Sequence, residues 1–188
     1  MDSGKGSLFI ISAPSGTGKD TLIHRIMELR PQIVLSVSAT TRAPRDGETE
    51  GISYYFVTHE RFQEMVERGE FQEHAEYIGE HYGTPAKPIY EHISNGTKVI
   101  LNIEVQGAKQ VMALGLDAET VFVVPPNMEE LERRLRKRGK DSEENLIERI
   151  DRARLELEET INYKHVVVND DINQATKELL SIIDGENQ

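Results

Sequence analysis

Cysteine and tryptophan are absent from this sequence of 188 residues. Without cysteine there are no disulfide bonds, no thiolate catalysis and no cysteine-based zinc sites, and the six histidines lack the spacing of metal ligands. Long apolar runs are also absent: no segment approaches the roughly 20 continuous apolar residues that cross a bilayer, and the N-terminal residues lack the apolar region of a signal peptide. These absences predict a cytoplasmic protein without membrane association, in which any metal arrives with a substrate.

Positive charge is outweighed by negative charge, with 22 lysine and arginine residues against 33 aspartate and glutamate residues. The formal net charge of −11 argues against a general nucleic-acid surface, because affinity for a phosphate backbone depends on accumulated lysine and arginine. The basic residues are concentrated locally, at Arg42 and Arg45 and again between Arg133 and Arg138. A small phosphorylated ligand needs only such local charge. The chain is long enough for one sizeable core, and no polar linker divides it, so we expect one compact domain.

An N-terminal stretch organises the chain. It begins with the apolar run Leu8–Ile11, typical of a buried parallel strand, passes through a loop of small residues and continues as an apolar pattern at helical spacing. Gly16 and Gly18 allow successive backbone N–H groups to converge on phosphate oxygens at the start of the helix. Lys19 would place a mobile positive charge on the β- and γ-phosphates. The alternative is a glycine-rich connector before an ordinary helix.

The match to the phosphate-loop pattern G-x-x-x-x-G-K-[ST] is imperfect at both ends. Ala13 replaces the first glycine, and Asp20 replaces the hydroxyl that usually ligates Mg²⁺, with Thr21 one position late. Two interpretations of Asp20 stay open. It either engages Mg²⁺ beside the phosphates, or it faces solvent while phosphate oxygens and water hold the metal near Thr21.

Apolar strands alternate with helical patterns along the rest of the chain. A β-rich run at 33–42 ends in hydroxyls and an arginine, residues 54–58 form a further short strand, and residues 71–84 predict strand and loop. Thr58 and Asn127 are expected to cap helices. The predicted buried strands of the later chain are 98–105, 120–124 and 165–168. This alternation indicates an α/β fold with a parallel core sheet.

Several motifs together carry a specific resemblance. They are Ala13-Pro-Ser-Gly-Thr-Gly-Lys, Ser36-Val-Ser-Ala-Thr-Thr-Arg-Ala-Pro-Arg, Tyr82-Gly-Thr, Ile103-Glu-Val-Gln-Gly, Arg134-Leu-Arg-Lys-Arg-Gly and Val168-Asn-Asp-Asp. Through them the chain closely resembles guanylate kinase of the nucleoside monophosphate kinase family, in register from about Ser7 to Ile183. The resemblance implies a P-loop kinase fold in a single domain, 1–188, with a parallel core sheet flanked by helices. The implied parts are a core at 7–36, 91–126 and 159–185, a GMP-binding insertion at about 37–90 and an arginine-rich lid at about 127–158.

The same resemblance implies transfer of the γ-phosphoryl group of Mg·ATP to GMP, and to dGMP, giving ADP and GDP in purine nucleotide metabolism. The Mg²⁺ would be held mainly by phosphates and water. The implied ATP-binding residues are Ala13, Pro14, Ser15, Gly16, Thr17, Gly18, Lys19, Asp20, Thr21 and Asn169. The implied catalytic residues are Lys19, Arg45, Arg134, Arg138 and Arg149. The implied GMP-binding residues are Ser38, Arg42, Arg45, Tyr54, Glu73, Tyr82, Thr84, Asn102 and Glu104.

Base recognition is assigned by the resemblance and makes chemical sense. Guanine presents N1–H and N2–H₂ donors, which call for a carboxylate, and the resemblance assigns Glu73 to them, with Ser38 and Thr84 on the other groups. The residues alone favour a surface carboxylate for Glu73, and only the resemblance reverses that interpretation. The chain departs from the family in the strand that ends at Asn102 and Glu104, because acidic residues are common at both polar positions. An uncharged Asn102 can still accept one hydrogen bond from guanine or water.

Two other functions stay open. A guanylate-kinase-like domain that binds protein partners without catalysis is one, although the intact Gly16-Thr-Gly-Lys19 loop weighs against it. A kinase for another phosphorylated acceptor is the other, and Glu73 disfavours it. We expect no nucleic-acid partner and no stable protein partner, and the sequence leaves self-association open.

Overall fold

The computed structural model describes residues 6–77, 79–137 and 142–186. The strands, in chain order, are β1 (Leu8–Ser12), β2 (Val34–Leu35), β3 (Ala39–Thr40), β4 (Tyr55–Phe56), β5 (Phe71–Tyr77), β6 (Glu80–Pro85), β7 (Val99–Asn102), β8 (Ala118–Val124) and β9 (His165–Val168). The α-helices are α1 (Lys19–Leu29), α2 (His59–Glu67), α3 (Ala86–Ser94), α4 (Val105–Ala113), α5 (Met128–Lys137), α6 (Glu143–Glu158) and α7 (Ile172–Asp184), and a 3-10 helix spans Glu159–Asn162. In the described part of the chain, no helix is long and apolar enough to cross a membrane.

The chain divides into two compact units. The first, which we call the Glu73 unit, comprises the described residues of Met1–Leu8, Ile33–Leu101 and Gln106–Asp117. The second, the phosphate-loop unit, comprises those of Phe9–Gln32, Asn102–Val105 and Ala118–Gln188. The insertion expected at 37–90 falls within the first unit, and the lid expected at 127–158 falls within the second.

A five-stranded sheet has the order β2-β7-β1-β8-β9. The β2–β7 and β8–β9 pairs are parallel, with Val34 opposite Val99 and Val121 opposite His165. All five residues of β1 are buried, as are Thr120, Val121, Phe122 and Val123 at the centre of β8. Because parallel strands are covered on both faces, they read as continuous apolar runs. The predicted parallel core sheet is therefore confirmed.

A second, four-stranded sheet lies within the Glu73 unit and has the order β4-β3-β6-β5. Strands β5 and β6 form an antiparallel pair, and β3 is antiparallel to β6 and parallel to β4. The run at 33–42, which the sequence presents as one strand, is divided between the two sheets. The N–H of Ser36 still donates to Ile100 O of β7, at 2.9 Å, whereas Ser38 O accepts from Tyr55 N, at 2.9 Å. The chain thus changes partners between these two serines.

Helix α3 is an element that the sequence analysis does not predict. Its sequence, Ala-Lys-Pro-Ile-Tyr-Glu-His-Ile-Ser, carries Pro88 in the first turn, where a proline lacks only an N–H that would have no intrahelical partner. Two predicted caps are confirmed: Thr58 Oγ1 accepts from Arg61 N at 3.1 Å, and Asn127 Oδ1 accepts from Glu130 N at 2.8 Å.

Helices α5 and α6 pack through one apolar cluster in the phosphate-loop unit. Its buried members are Leu131, Leu135, Leu146, Ile150 and Ala153, with Met128 packed against them. The spacing of these residues places them on one face of each helix. The opposite faces carry the charged residues, so these two helices can present arginines while their apolar sides stay covered.

Candidate active site

The predicted strand, loop and helix of the phosphate loop are confirmed. Strand β1 leads into a loop, and Gly18, with φ 89°, is the N-cap of α1 in the left-handed region. Gly16, with φ 94°, makes a second left-handed turn within the loop. No side chain caps the start of α1. The first N–H groups of the helix therefore face outwards at its positive end, which suits an anionic ligand.

Both glycines are also closely packed against the rest of the unit. A Cβ atom on Gly16 would lie 2.7 Å from Leu135 Cδ2, and one on Gly18 would lie 2.6 Å from Asn169 Nδ2. Asn169 is 5% exposed, and its Nδ2 donates to Thr17 O at 2.7 Å. In the described structure, Asn169 therefore supports the backbone of the loop.

Lys19 is at the centre of a polar group that the sequence does not predict. It is 9% exposed, and its Nζ donates to Asn102 Oδ1 and to Ile103 O, the latter at 3.4 Å. The other end of the Asn102 amide, Nδ2, donates to Asp20 Oδ1 at 3.0 Å. Asn102, assigned to GMP, thus joins two residues of the phosphate loop. Glu104, two residues further along, is exposed.

Two of the predicted arginines contact the loop. Arg134 Nη1 donates to Thr17 O at 3.1 Å, and Arg149 Nη2 donates to Ser15 Oγ at 2.7 Å. Arg134 Nε also donates to Glu130 Oε1 at 2.7 Å. The hydrogen bonds of Arg133 and then Arg134 lower the pKa of Glu130 to about 2. The third predicted arginine, Arg138, lies outside the described residues.

The remaining residues of the loop differ in exposure. Ala13 and Thr17 are 1% exposed, whereas the Asp20 side chain is 83% exposed and Thr21 is also exposed. Pro14 O lies 3.4 Å from Thr17 N. Among the described residues, no group of three or more His, Cys, Asp or Glu side chains could hold a metal ion.

Glu156 is a carboxylate near the phosphate loop that the sequence analysis missed. Its side chain is 12% exposed and accepts from Arg152 Nε at 2.8 Å. Burial raises the pKa of Glu156 above its usual range, while Arg152 opposes the shift and Glu104 adds to it. No sequence signal distinguishes this glutamate from its neighbours, because α6 carries charged residues on several faces.

The Glu73 unit contains three hydrogen-bonded side chains, those of Ser38, Thr84 and Glu73, which we call the Glu73 chain. Glu73 on β5 faces Thr84 on β6, and the Thr84 hydroxyl donates to Glu73 Oε1 at 2.6 Å. Ser38 Oγ lies 3.1 Å from Thr84 Oγ1. Glu73 is 7% exposed and Thr84 is 0% exposed. Three residues far apart in sequence are therefore in hydrogen-bonding contact, and Glu73 is not a surface carboxylate.

Arg42 is held at another point of the same unit by Glu48. Its Nη1 and Nη2 donate to the two Glu48 oxygens at 3.0 and 2.8 Å, and Glu48 Oε2 also accepts from Arg45 N at 2.7 Å. Hydrogen bonding to Glu48 raises the pKa of Arg42, and Arg42 in turn lowers the pKa of Glu48. The Arg45 side chain itself is exposed.

Two tyrosines accompany this arginine. The ring centroids of Tyr54 and Tyr82 are 6.0 Å apart in an edge-on arrangement, and Arg42 Cζ lies 5.4 Å from the Tyr54 centroid. A guanidinium over an aromatic face is favourable, and its planar shape suits a phosphate. The structure thus brings together Arg42, Tyr54 and Tyr82. It places Asn102 and Glu104 in the other unit.

Comparisons with known proteins identify the family of this chain. A sequence model of the guanylate kinase family matches residues 5–186. Proteins named guanylate kinase from Synechocystis sp. and Frankia casuarinae are 45% and 46% identical to this chain. These alignments span 97% of this chain and 95% of the Synechocystis protein, and 95% of this chain and 97% of the Frankia protein.

Comparison with solved structures supports the same family and shows the fold. A crystal structure of guanylate kinase from Anaplasma phagocytophilum has a TM-score of 0.79 and 34% identity, covering 98% of this chain and 88% of that one. A shikimate kinase from Bacteroides thetaiotaomicron, with a TM-score of 0.51 and 16% identity over 95% of this chain and 98% of that one, shares the fold. On the evidence of its phosphate loop, its Glu73 chain and these matches, the protein belongs to the guanylate kinase family.

Proposed function

We propose that this chain phosphorylates GMP with ATP, using Lys19 and its arginines on the donor side and the Glu73 chain to select guanine. As a member of the guanylate kinase family, it is an ATP:GMP phosphotransferase. The observation that carries the residue assignment is the buried Glu73 carboxylate, hydrogen-bonded to Thr84, which is in turn next to Ser38. A carboxylate beside two hydroxyls matches a base that has two adjacent donors and further acceptors.

On the donor side, the protein's task is to align phosphates and to neutralise charge. A GMP phosphate is already an anionic nucleophile, so no general base is needed. The N–H groups of the loop at 13–18 hold the ATP phosphates, and Lys19 stabilises negative charge on the transferring group. Arg134 and Arg149, which contact Thr17 O and Ser15 Oγ, add further positive charge beside the loop. Arg138 has the same role by its position in the motif.

On the acceptor side, Arg42, Arg45, Tyr54 and Tyr82 hold the GMP phosphate. The guanidinium of Arg42 is already oriented by Glu48 and by the Tyr54 ring, so little conformational freedom is lost when the phosphate binds. Arg45 is exposed, and its guanidinium is assigned to the acceptor phosphate during transfer. Asn102 and Glu104 complete the assigned GMP set, and Asn102 also accepts a hydrogen bond from Lys19.

Base selectivity follows from the buried carboxylate. Glu73 accepts from guanine N1–H and N2–H₂, whereas adenine would present the N1 acceptor to the same oxygens. A buried charge left without a donor costs about 1–3 kcal/mol or more, which is enough for strong discrimination. The deoxyribonucleotide dGMP keeps the same base and should be used more weakly.

Mg²⁺ is the remaining component of the proposed reaction. The exposed Asp20 carboxylate at the first turn of α1, with Thr21 beside it, supplies oxygen atoms of the type that Mg²⁺ binds. Phosphate oxygens and water would supply the other ligands, because Mg²⁺ keeps several waters. When bound, the metal would neutralise charge on the ATP phosphates. Since both substrates are small nucleotides, we propose that the protein acts in the cytoplasm.

A coupled ADP-release assay tests the acceptor. With ATP as donor, GMP should be turned over efficiently and dGMP less so, while kcat/KM for AMP, CMP and UMP should be lower by about 100-fold or more. Comparable turnover of AMP or UMP would contradict guanine selection.

A matched pair of variants tests the Glu73 assignment. Glu73→Gln should raise KM for GMP more than KM for ATP. Glu76→Gln removes the same charge from an exposed position of the same strand and should change neither. Equal losses for both substrates in Glu73→Gln would place Glu73 outside the guanine pocket.

A further inference from the structure

Gly107 lies in the first turn of α4, in direct contact with the carboxylate of Glu73. A Cβ atom built on Gly107 would lie 2.5 Å from Glu73 Oε2, 3.0 Å from its Cδ and 3.4 Å from its Cγ. The first distance is too short for the side chain and the carboxylate to keep their present positions, and the second is tighter than most contacts of a Cβ atom. The helix therefore approaches Glu73 so closely that only a hydrogen atom fits between them.

The carboxylate cannot readily move aside. Its other oxygen, Oε1, accepts from the Thr84 hydroxyl at 2.6 Å, and that hydroxyl lies 3.1 Å from Ser38 Oγ. The register of β5 and β6 fixes Glu73 opposite Thr84, and the side chain is 7% exposed. Displacing Oε2 would therefore break a buried hydrogen bond or rotate the carboxylate away from its present plane.

The backbone of Gly107 does not itself require glycine. Its φ is not positive, so it lies outside the left-handed region, and the residue belongs to a regular helix. In a helix interior, glycine is less favourable than alanine by about 1 kcal/mol. The close approach of Glu73, rather than the backbone conformation, is thus what requires glycine at this position. The same approach puts the carboxylate at the positive end of α4, which favours its ionised, hydrogen-bond-accepting form.

We infer that Gly107 is a specificity-determining position, which selects guanine by leaving room for the Glu73 carboxylate. This inference rests on the proposed function, because it assumes that Glu73 reads the base. Gly107 acts through Glu73, so it is a positioning residue. Any side chain at this position should impair GMP recognition even though the helix would tolerate it.

Gly107→Ala tests the inference directly. KM for GMP, and its Kd by calorimetry without ATP, should rise at least tenfold, as expected for a misplaced charged hydrogen bond. KM for ATP should stay within about twofold, and the preference for GMP over AMP should fall. Lys109→Ala, at an exposed position of the same helix, is the matched control and should leave GMP binding unchanged.

A double-variant cycle separates positioning from a general loss of structure. If Gly107 acts through the carboxylate, Gly107→Ala combined with Glu73→Gln should be hardly worse for GMP than Glu73→Gln alone. Glu73→Asp should cost much less in the Gly107→Ala background than in the original chain, because the shorter side chain withdraws from the added methyl group. Thermal unfolding of each variant measures its stability. If Gly107→Ala alone folds poorly, the comparison of Glu73→Asp with and without Gly107→Ala still tests the inference.

The outcomes are distinguishable. If Gly107→Ala leaves GMP binding unchanged while Glu73→Gln impairs it, the inference is wrong and the proposed function stands. Equal losses in GMP and ATP use, or additive effects in the cycle, would also overturn the inference. If Glu73→Gln leaves GMP use unchanged, the assignment of Glu73 to guanine is wrong, and the inference is wrong with it.

Discussion

The phosphate loop and the Glu73 chain offer a ligand different kinds of groups. The loop offers backbone N–H groups at the start of α1, together with Lys19, Arg134 and Arg149. The Glu73 chain offers one carboxylate and two hydroxyls, buried and bonded to one another. The first set neutralises charge without regard to the base. The second has one carboxylate and no cationic side chain, and on the proposed function it distinguishes donors from acceptors.

This difference predicts which kinetic constant each region controls. A positive group beside the transferring phosphate stabilises charge that develops in the transition state, so its loss lowers kcat. A group that reads the base interacts alike in the ground and transition states, so its loss raises KM for one substrate. Substitutions in the two regions should therefore separate kcat effects from KM effects.

Lys19→Ala should have the largest effect. Loss of this charge in a closely packed site should lower kcat by about 100-fold or more, with a smaller change in KM for GMP. Steady-state kinetics with ATP and GMP varied separately would measure both constants. Lys177→Ala, which removes an exposed lysine from α7, is the control and should change neither. Near-full activity of Lys19→Ala would favour the alternative of a binding domain without catalysis.

Glu48→Gln tests the arginines of the Glu73 unit that we assign to the GMP phosphate. Glu48 binds both terminal nitrogens of Arg42 and the N–H of Arg45, so it fixes the turn that carries both arginines. Losing the charge should weaken this hold and raise KM for GMP about tenfold, a change of about 1.4 kcal/mol, with KM for ATP unaffected. Asp46→Asn makes the same charge change at an exposed position of this turn. A lower KM for GMP would instead mean that Glu48 competes with the acceptor phosphate.

The two regions also differ in how far the sequence predicted them. The parts of the phosphate loop are consecutive in sequence: a strand, two glycines, a lysine and a helix. Because their local conformations follow from residue type, β1, Gly18 and α1 were predicted correctly. Glu73 and Thr84 come from two strands and Ser38 from the segment just before a third, and only the resemblance to a known family brought them together. Gly107 was missed because its importance lies in a contact with β5, which no local pattern indicates.

The incorrect predictions of other elements also have physical causes that local sequence does not record. The run at 33–42 has uniform strand propensity, but its hydrogen bonds pass from β7 to β4 between Ser36 and Ser38, and propensity does not record the partner. Helix α3 was missed because it begins next to prolines. Lys19 was expected to be mobile, yet it is buried against Asn102, an interaction that joins residues 83 positions apart.

Tyr163 provides a smaller test, on the stability of the phosphate-loop unit. It is 8% exposed, its ring centroid lies 4.7 Å from that of Phe122, and burial raises its pKa to about 12. Below about pH 9, the Tyr163 phenol stays protonated in both the folded and the unfolded chain. Between pH 10 and 12 the unfolded chain loses the phenolic proton while the folded chain retains it, so stability falls as the pH rises.

Tyr163→Phe should remove that part of the alkaline loss. The difference in unfolding free energy between pH 7 and 11 should shrink by about 1 kcal/mol, since one pKa unit is worth about 1.4 kcal/mol. Urea unfolding at both pH values would measure it. Tyr90→Phe, at a tyrosine that is 46% exposed, is the control. An identical alkaline loss in Tyr163→Phe and the original chain would contradict the raised pKa.

Asp20 offers the finest comparison, because it is the one carboxylate within the otherwise cationic phosphate loop. Its side chain is 83% exposed, accepts from Asn102 Nδ2 at 3.0 Å and lies 4.0 Å from Lys19 Nζ. Mg²⁺ needs few protein ligands. We therefore expect Asp20→Asn to leave the Mg²⁺ concentration for half-maximal rate within about twofold and, by removing a negative charge near the phosphates, to tighten ATP binding slightly.

Rate measured against free Mg²⁺ at fixed Mg·ATP, for Asp20→Asn and Asp20→Ser, decides between the two roles of this carboxylate. Glu28→Gln removes an exposed charge from the other end of α1 and controls for the net charge of the helix. If Asp20 were a metal ligand, Asp20→Asn would require more Mg²⁺, and Asp20→Ser, which restores a hydroxyl at this position, would retain activity with an altered requirement. Unshifted curves in both variants would leave the metal to phosphate oxygens and water. The phosphate loop would then contribute only positive groups and N–H donors to ATP binding.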